Sequence, residues 1–364
     1  MRSILNYLRL LARCIFVSTL AWSGCLRRVE KHICASGAIV TLTFHRVLDD
    51  MSYRATNSLS GMVIRERTFR ELAKYVAEHC EPIAFGQAVP STPSKRIRIA
   101  LTFDDGWRDI FSTAFPTIRA HKLPATMFVC PGVLGKTSPF WPERAMALLR
   151  AAQPRRDKDQ FLDEIEALKR QIPEQREQYL AELSEQAPFS LECSPVDKTL
   201  SWDEIVQMNK AGISFGSHTD THQILTSIPS CVAREEMRHS KAILEQMLGK
   251  PCDTFAYPNG DCSSDAMRVA KELGFTRAVT TERGLWTSLC HPLSIPRSNV
   301  CESGVVGITG RFWPPMFAYT VLWKAWRAHS RATRIVDSEM LLGHQTPGPE
   351  HATAVGTTGS LGNR

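Results

Sequence analysis

Two short stretches carry residues whose types and spacing could do chemistry. In "ALTFDDGW" (100–107), two adjacent carboxylates, Asp104 and Asp105, close a run that reads as a buried strand. Like charges side by side repel, and neither belongs near a core unless a cation or a proton offsets the cost. In "SHTDTH" (217–222), His218 and His222 stand four apart. If that stretch forms a helical turn, both imidazoles face one way and can grip one metal ion. Two histidines and one carboxylate would leave coordination positions open for water and substrate, an arrangement that suits catalytic Zn²⁺ and also accommodates divalent iron or cobalt. One aspartate would then be a ligand and the other a base, with the spacing alone leaving open which is which.

These residues need a scaffold that brings them together. Eight runs read as short strands: 38–45, 81–85, 97–105, 124–130, 212–218, 254–260, 276–281 and 293–297, each rich in Ile, Val, Phe or Thr and mostly bounded by Gly or Pro. Helical stretches alternate with them, for example 233–248, where Met237, Ile243, Leu244, Met247 and Leu248 supply an apolar face and Gly249 stops the helix. That alternation predicts an α/β chain with a parallel sheet, and seven to eight units favour a distorted (β/α) barrel over an open sheet. His45, Asp104, Asp105, His218, Asn259, Gly260 and Arg297 all fall at or just after the ends of these runs. In a parallel barrel those ends form one rim, where catalytic groups gather.

The chain has 364 residues, and 43% of them are hydrophobic, enough to bury a full core. Its net charge of +7 is unevenly placed: six basic residues and only one acidic residue, Glu30, lie in the first 31 positions. The remainder is near neutral, which excludes a broad nucleic-acid-binding face. The eleven cysteines are scattered and never form a CxxC pair, so neither a disulfide framework nor a zinc ribbon is expected. Free thiols in a reducing compartment are the simplest account, with a bacterial-type cytoplasm or its inner-membrane surface as the expected location and export to the periplasm as the alternative.

The expected organisation has four parts. Residues 1–35 form a basic, apolar segment interrupted by Arg9 and Arg13, and three readings apply to it: an amphipathic helix on a membrane surface, an export signal, or an ordinary domain helix. Residues 36–305 form the catalytic domain. Within it, 142–190 is a helical insertion with Phe161, Ile165, Leu168 and Ile172 at helical spacing, expected to be a solvated excursion whose charges make a wet face. Residues 306–342 form an aromatic and basic C-terminal helix that packs on the barrel or touches a membrane, the core being favoured. Residues 343–364 lack apolar periodicity and are expected to be disordered.

"TFDDG" (102–106), "SHTDTH" (217–222) and "FAYPNG" (255–260), in that order, resemble the motifs of NodB-type polysaccharide deacetylases, metal-dependent carbohydrate esterases on a distorted (β/α) barrel. "LTFHRV" (42–47), "PATMFV" (124–129), "LSWDEI" (200–205) and "IPRSNV" (295–300) are similar to a branch whose early strand ends in histidine. The resemblance runs from about residue 38 to residue 300. It implies Asp104 as general base, and Asp105, His218 and His222 as ligands of a divalent ion, Zn²⁺ or Co²⁺. It further implies the turn Pro258, Asn259, Gly260 as the oxyanion and substrate contact. Two departures stand out. No histidine occupies the late motif that usually supplies the general acid, and His291 precedes the expected strand, so the acid role passes to His45. Ala256 stands where an arginine usually orients the base, and Arg297 could supply that charge from another strand end. The implied partner is an N-acetylated glycan. The alternatives are another amide, an O-acetyl ester, or a glycan-binding homologue without catalysis.

Overall fold

A computed structural model describes residues 2–90, 93–136, 140–185, 194 and 196–332. Among these residues ten strands are present: β1 Ile39–Phe44, β2 Arg46–Leu48, β3 Val63–Arg65, β4 Glu81–Ile83, β5 Arg98–Phe103, β6 Ala125–Val129, β7 Ser214–Ser217, β8 Thr254–Ala256, β9 Arg277–Val279 and β10 Ser298–Asn299. Thirteen α-helices accompany them among the described residues. At the ends of the chain are α1 Arg2–Trp22, α2 Cys25–Ser36, α12 Glu302–Val305 and α13 Pro314–Phe317. Between lie α3 Asp50–Ala55, α4 Glu66–His79, α5 Phe115–Ala120, α6 Trp141–Ala152, α7 Leu162–Lys169, α8 Pro173–Glu185, α9 Trp202–Lys210, α10 Ser230–Leu248 and α11 Ser264–Glu272.

The main sheet runs β10-β1-β5-β6-β7-β8-β9, with every neighbouring pair parallel. β4 and β6 share one edge of β5: Glu81–Ile83 pairs with its first half and Ala125–Met127 with its second. The end strands approach each other through residues 295–299, since Ile295 bridges to Val279 while β10 pairs with β1. The sheet is thus curled into a distorted (β/α) barrel, as the alternation of elements predicts.

Side-chain period explains the interior. On β1, Val40, Leu42 and Phe44 join the outer core beneath the helices, whereas Ile39 belongs to a separate inner cluster with Phe85, Ala100, Phe128 and Trp286. The same alternation places Thr41 and Thr43 of β1 and Thr102 of β5 on the inner register, buried above that apolar floor. His45 continues the inner register of β1, and Asp104 that of β5. Period 2 alone therefore aims both toward the barrel mouth.

Several expectations need correction. Residues 293–297 do not form a strand; only an isolated bridge at Ile295 is made, and Arg297 precedes β10 instead of closing a strand. Three short strands lie outside the expected runs: β10, and β2 with β3, which pair in parallel. The insertion is not merely solvated, because Trp141, Met146, Leu149, Phe161, Ile165 and Leu168 close a core of their own with Ile224. Glu143 and Arg176 are buried within it, while Ile172 is exposed. The C-terminal helix begins at Pro314, and its continuation reaches residue 332. Met316, Phe317, Val321 and Leu322 join the main core. The expected disordered tail, 343–364, lies outside the described residues.

At the N-terminus, Cys14, Val17, Leu26, Val29 and Ile33 are buried against the domain, and the Arg13 guanidinium donates to Ser303 O and Thr320 Oγ1. Among the described residues no single helix is long and apolar enough to cross a membrane; α1 and α2 pass such a test only as a pair bent by 64°. The outward face of α1 leaves Leu8, Ile15, Phe16 and Trp22 exposed.

Candidate active site

His45, Asp104, Asp105, His218, His222 and Asn259 line one cavity of about 250 Å³ at the C-terminal rim of the sheet. Each reaches it by a local device. Asp105 and Gly106 adopt φ of 74° and 83°, so the chain turns sharply after β5 and presents adjacent carboxylates in different directions. Leu200 N donates to Gly106 O and Thr199 bridges to Trp107, which pins this turn from the far side.

The His218–His222 pair does not sit on a helix, contrary to the reading of its spacing. Residues 218–222 are a loop in which Thr219 and His222 have φ of 63° and 62°. Glu236 of α10 holds the loop, accepting from Asp220 N and Thr221 N, and Gly132 N donates to Asp220 O. Of the five described non-glycine residues with positive φ, four, Asp105, Thr219, His222 and Asn259, lie in this site. Such strain persists where surrounding contacts over-determine the backbone.

The geometry fits a metal ion. His218 Nε2 and His222 Nε2 each lie 3.4 Å from Asp105 Oδ1, and one ligand atom from each residue falls within 4.8 Å of the others. A tetrahedral ion with ligands at about 2.0–2.1 Å separates those ligands by about 3.3–3.4 Å. The outer contacts agree. His218 Nδ1 lies 2.7 Å from Ala256 O, which places the proton on Nδ1 and the lone pair on Nε2. Trp107 Nε1 donates to Asp105 Oδ2 at 2.9 Å, leaving Oδ1 to face the histidines. The electrostatics point the same way. Burial alone would raise the Asp105 carboxyl, yet His218, His222 and His45 hold it well below the usual carboxylate range. Burial would lower His218, but Asp105 and Asp104 raise it. The set demands positive charge.

Asp104 has a different environment. Arg297 Nη1 and Nη2 donate to its two oxygens at 2.8 and 2.6 Å, and Arg297 is braced by Thr280 O and Thr102 Oγ1. Burial pushes this carboxyl up, and Arg297, His218 and His45 together bring it below its ordinary value. His45 Nε2 stands 4.0 Å from Asp104 Oδ2. Burial lowers the His45 imidazole more than Asp105 and Asp104 raise it, and Arg297 and His218 add to the lowering.

Gly260 cannot be another residue. Its φ is 80°, and a Cβ there would lie 2.0 Å from Thr281 Oγ1 and 2.4 Å from Thr281 N. This close approach sets the Pro258–Gly260 turn, with Asn259 at φ 60° and facing the cavity.

Two supporting residues, Arg46 and Glu143, have no assigned role in the sequence reading. Arg46, fully buried, pairs with Asp109 at 2.6 Å and Asp197 at 2.8 Å and lies 4.1 Å over the Trp107 ring. It fixes the indole that orients Asp105; its only sequence signal was its place beside His45. Glu143, from the insertion, lines the cavity and accepts from Ser58 Oγ at 2.9 Å. Burial, then the Asp105 charge, pushes its carboxyl up to about 8.

A family model described as "Polysaccharide deacetylase" matches residues 91–278, just over half of the chain. A curated relative from Bacillus subtilis (strain 168), named "Putative polysaccharide deacetylase YxkH", is 21% identical over 192 residues, 53% of this chain and 47% of its own. The chain therefore matches about half the length of that relative. Among solved structures, the Streptococcus pyogenes deacetylase PplD in complex with acetate superposes with a TM-score of 0.52 at 18% identity, over 78% of this chain and 98% of that one. A polysaccharide deacetylase from Bacillus cereus gives 0.53 at 19% identity, over 78% and 69%. At such identities these structures establish a shared fold.

Proposed function

The chain belongs to the polysaccharide deacetylase family, and on that premise we propose that it is a metal-dependent hydrolase that removes N-acetyl groups from a polysaccharide or glycan precursor, releasing acetate. The observation that carries this reading is the contrast between two neighbouring carboxylates. Asp105 stands at ligand spacing from two histidines, while Asp104 bonds an arginine and stays free to move a proton.

Asp105, His218 and His222 would hold the ion, zinc or cobalt by their donor chemistry. When bound, it would polarise the acyl carbonyl and make a water acidic, from a pKa of about 15.7 toward roughly 7. Asp104 takes the proton of the attacking water, and its bidentate bond to Arg297 keeps it ionised and fixed in direction. The Asn259 backbone N–H, turned by the Pro258–Gly260 geometry, helps hold the oxyanion, a contact worth about 3 kcal/mol per donor. His45 delivers a proton to the departing nitrogen. Burial favours its neutral form, and Asp104, 4.0 Å away, is the neighbour from which it gains that proton within the turnover. Acetate and a free amine leave.

The proposed place of action is the cytoplasmic side of a bacterial inner membrane. Leu8, Ala12, Ile15, Thr19 and Trp22 form one exposed stripe of α1, a helix without a single acidic residue. Arg9 flanks the stripe, and Arg27, Arg28 and Lys31 lie exposed on α2. This pattern suits an anionic bilayer surface.

Metal content and acetate release, measured together, test the division of roles. About one ion per chain is expected in the wild type. His222→Ala and Asp105→Asn should lose ion and activity together, whereas Asp104→Asn should keep the ion and lose turnover. An Asp104 variant without metal beside an Asp105 variant that retains it would reverse the assignment. A wild type that takes up neither zinc nor cobalt would overturn it.

A further inference from the structure

A second, more open cleft of about 930 Å³ adjoins the catalytic cavity, and Asn57 lines both. Five cations border it, Arg54, Arg65, Arg150, Arg156 and Lys158, against two carboxylates, Asp157 and Asp159. Both carboxylates are engaged by backbone: Asp157 accepts from Asp159 N, and Asp159 from Ser60 N. Arg65 pairs with Asp50, and Arg156 with Glu164.

The other three cations make no direct ion pair: among the described residues, Arg54, Arg150 and Lys158 have no carboxylate oxygen within 4.0 Å. Arg150 Nη1 donates to the neutral Asn57 Oδ1. Lys158 Nζ is shielded from solvent, makes no hydrogen bond among the described residues and lies 5.7 Å from the centre of the Tyr53 ring. Burial pulls the Lys158 ammonium below its ordinary range; among its charged neighbours Asp159 acts most strongly and raises it, Arg150 lowers it, and Asp157 and Asp197 raise it again. Cations gathered on one concave wall raise one another's energy, and an anion placed between them relieves it.

The cleft is tied to the catalytic cavity by α6. Glu143 and Met146 on that helix line the cavity, while Ala147, Arg150 and Ala151 line the cleft. Glu143 and Arg150 are seven residues apart, about 10 Å along the axis. That places the cationic wall within reach of a group on the reacting sugar or on its neighbour.

We propose that this cleft is an anion subsite of the catalytic cavity, which takes a phosphate or carboxylate group carried by the glycan beside the N-acyl group to be hydrolysed. The link to hydrolysis rests on the deacetylase reading; the binding itself does not. Two sources share this chemistry, the phosphate of a carrier-linked precursor and the carboxylate of a uronic acid within a polymer.

Calorimetric titration of the full chain, without added metal, with glucose 1-phosphate and with glucuronate tests the proposal. At least one should bind the wild type and weaken as salt is raised. Arg54→Gln and Arg150→Gln should each weaken binding about tenfold, with circular dichroism unchanged. Preference for glucose 1-phosphate would assign the carrier-linked source, preference for glucuronate the polymer, and equal binding the shared chemistry. Failure of both anions to bind the wild type, or equal binding to both variants, overturns the subsite. Because the readout is binding, a chain that binds an anion yet hydrolyses no N-acetylated glycan sinks the deacetylase reading and leaves the subsite standing.

Discussion

Removing the charge of Arg297 tests whether that residue sets the state of Asp104. Arg297→Ala strips the buried carboxylate of two charge-assisted hydrogen bonds, at 2.8 and 2.6 Å. Truncating one partner of a buried pair costs about 3–5 kcal/mol, a large share of the roughly 5–15 kcal/mol that holds a native domain. Arg297→Gln is therefore the companion variant, since it keeps a donor and loses only the charge. An adjacent arginine lowers an aspartate by about 1–3 units, and burial, no longer opposed by it, raises Asp104 by that order. A base must be unprotonated, so the acidic limb of kcat/KM should move to higher pH by about 1–3 units, with activity recovering as the pH is raised. Metal content should not change, because Arg297 bonds neither Asp105 nor either ligand histidine. The assay is acetate release from an N-acetylated oligosaccharide between about pH 5 and about pH 9, with elemental analysis of the same samples. Activity lost with the acidic limb unmoved, or lost together with the metal, would refute the reasoning.

Two further outcomes are expected. Glu143 is raised from 4.5 to about 8, so between those values the native state binds a proton that the unfolded chain has released. Stability should then fall as pH rises through that window, by up to about 5 kcal/mol at roughly 1.4 kcal/mol per unit. Glu143→Gln should flatten that slope in urea unfolding without added metal; an unchanged slope would mean that the carboxyl is ionised throughout. On α1, replacing Leu8, Ile15 and Trp22 together by serine should abolish flotation with anionic phospholipid vesicles, while the wild type floats and is released by salt. Equal flotation of the two proteins, or none by the wild type, would remove the membrane-surface proposal.

Much of the fold was legible in the sequence because buried parallel strands leave strong local marks. The runs around Ile39–Phe44, Arg98–Phe103 and Ala125–Val129 are continuous apolar or threonine-rich stretches bounded by breakers, and they form strands at nearly those limits. Period 2 also aimed His45 and Asp104, since each continues the inward register of its strand by two residues. The candidate ligands were legible as residue types at the ends of such runs, helped by the motif resemblance.

What only the tertiary structure decided lies between segments distant in the chain. The four-residue spacing of His218 and His222 suggested a helix, but the two rings converge through left-handed residues held by Glu236, a constraint invisible to periodicity. Arg297 reaches Asp104 across 193 residues of chain from a segment that is not a strand. Arg46 steadies Asp105 through the Trp107 ring, and Glu143 enters the cavity from an insertion whose charges read locally as a wet face. Local propensity records whether a residue is turned inward, and it fixed the types and directions of these groups. Burial, pairing and pKa depend on which distant groups arrive at the same place, and that is settled only when the barrel closes.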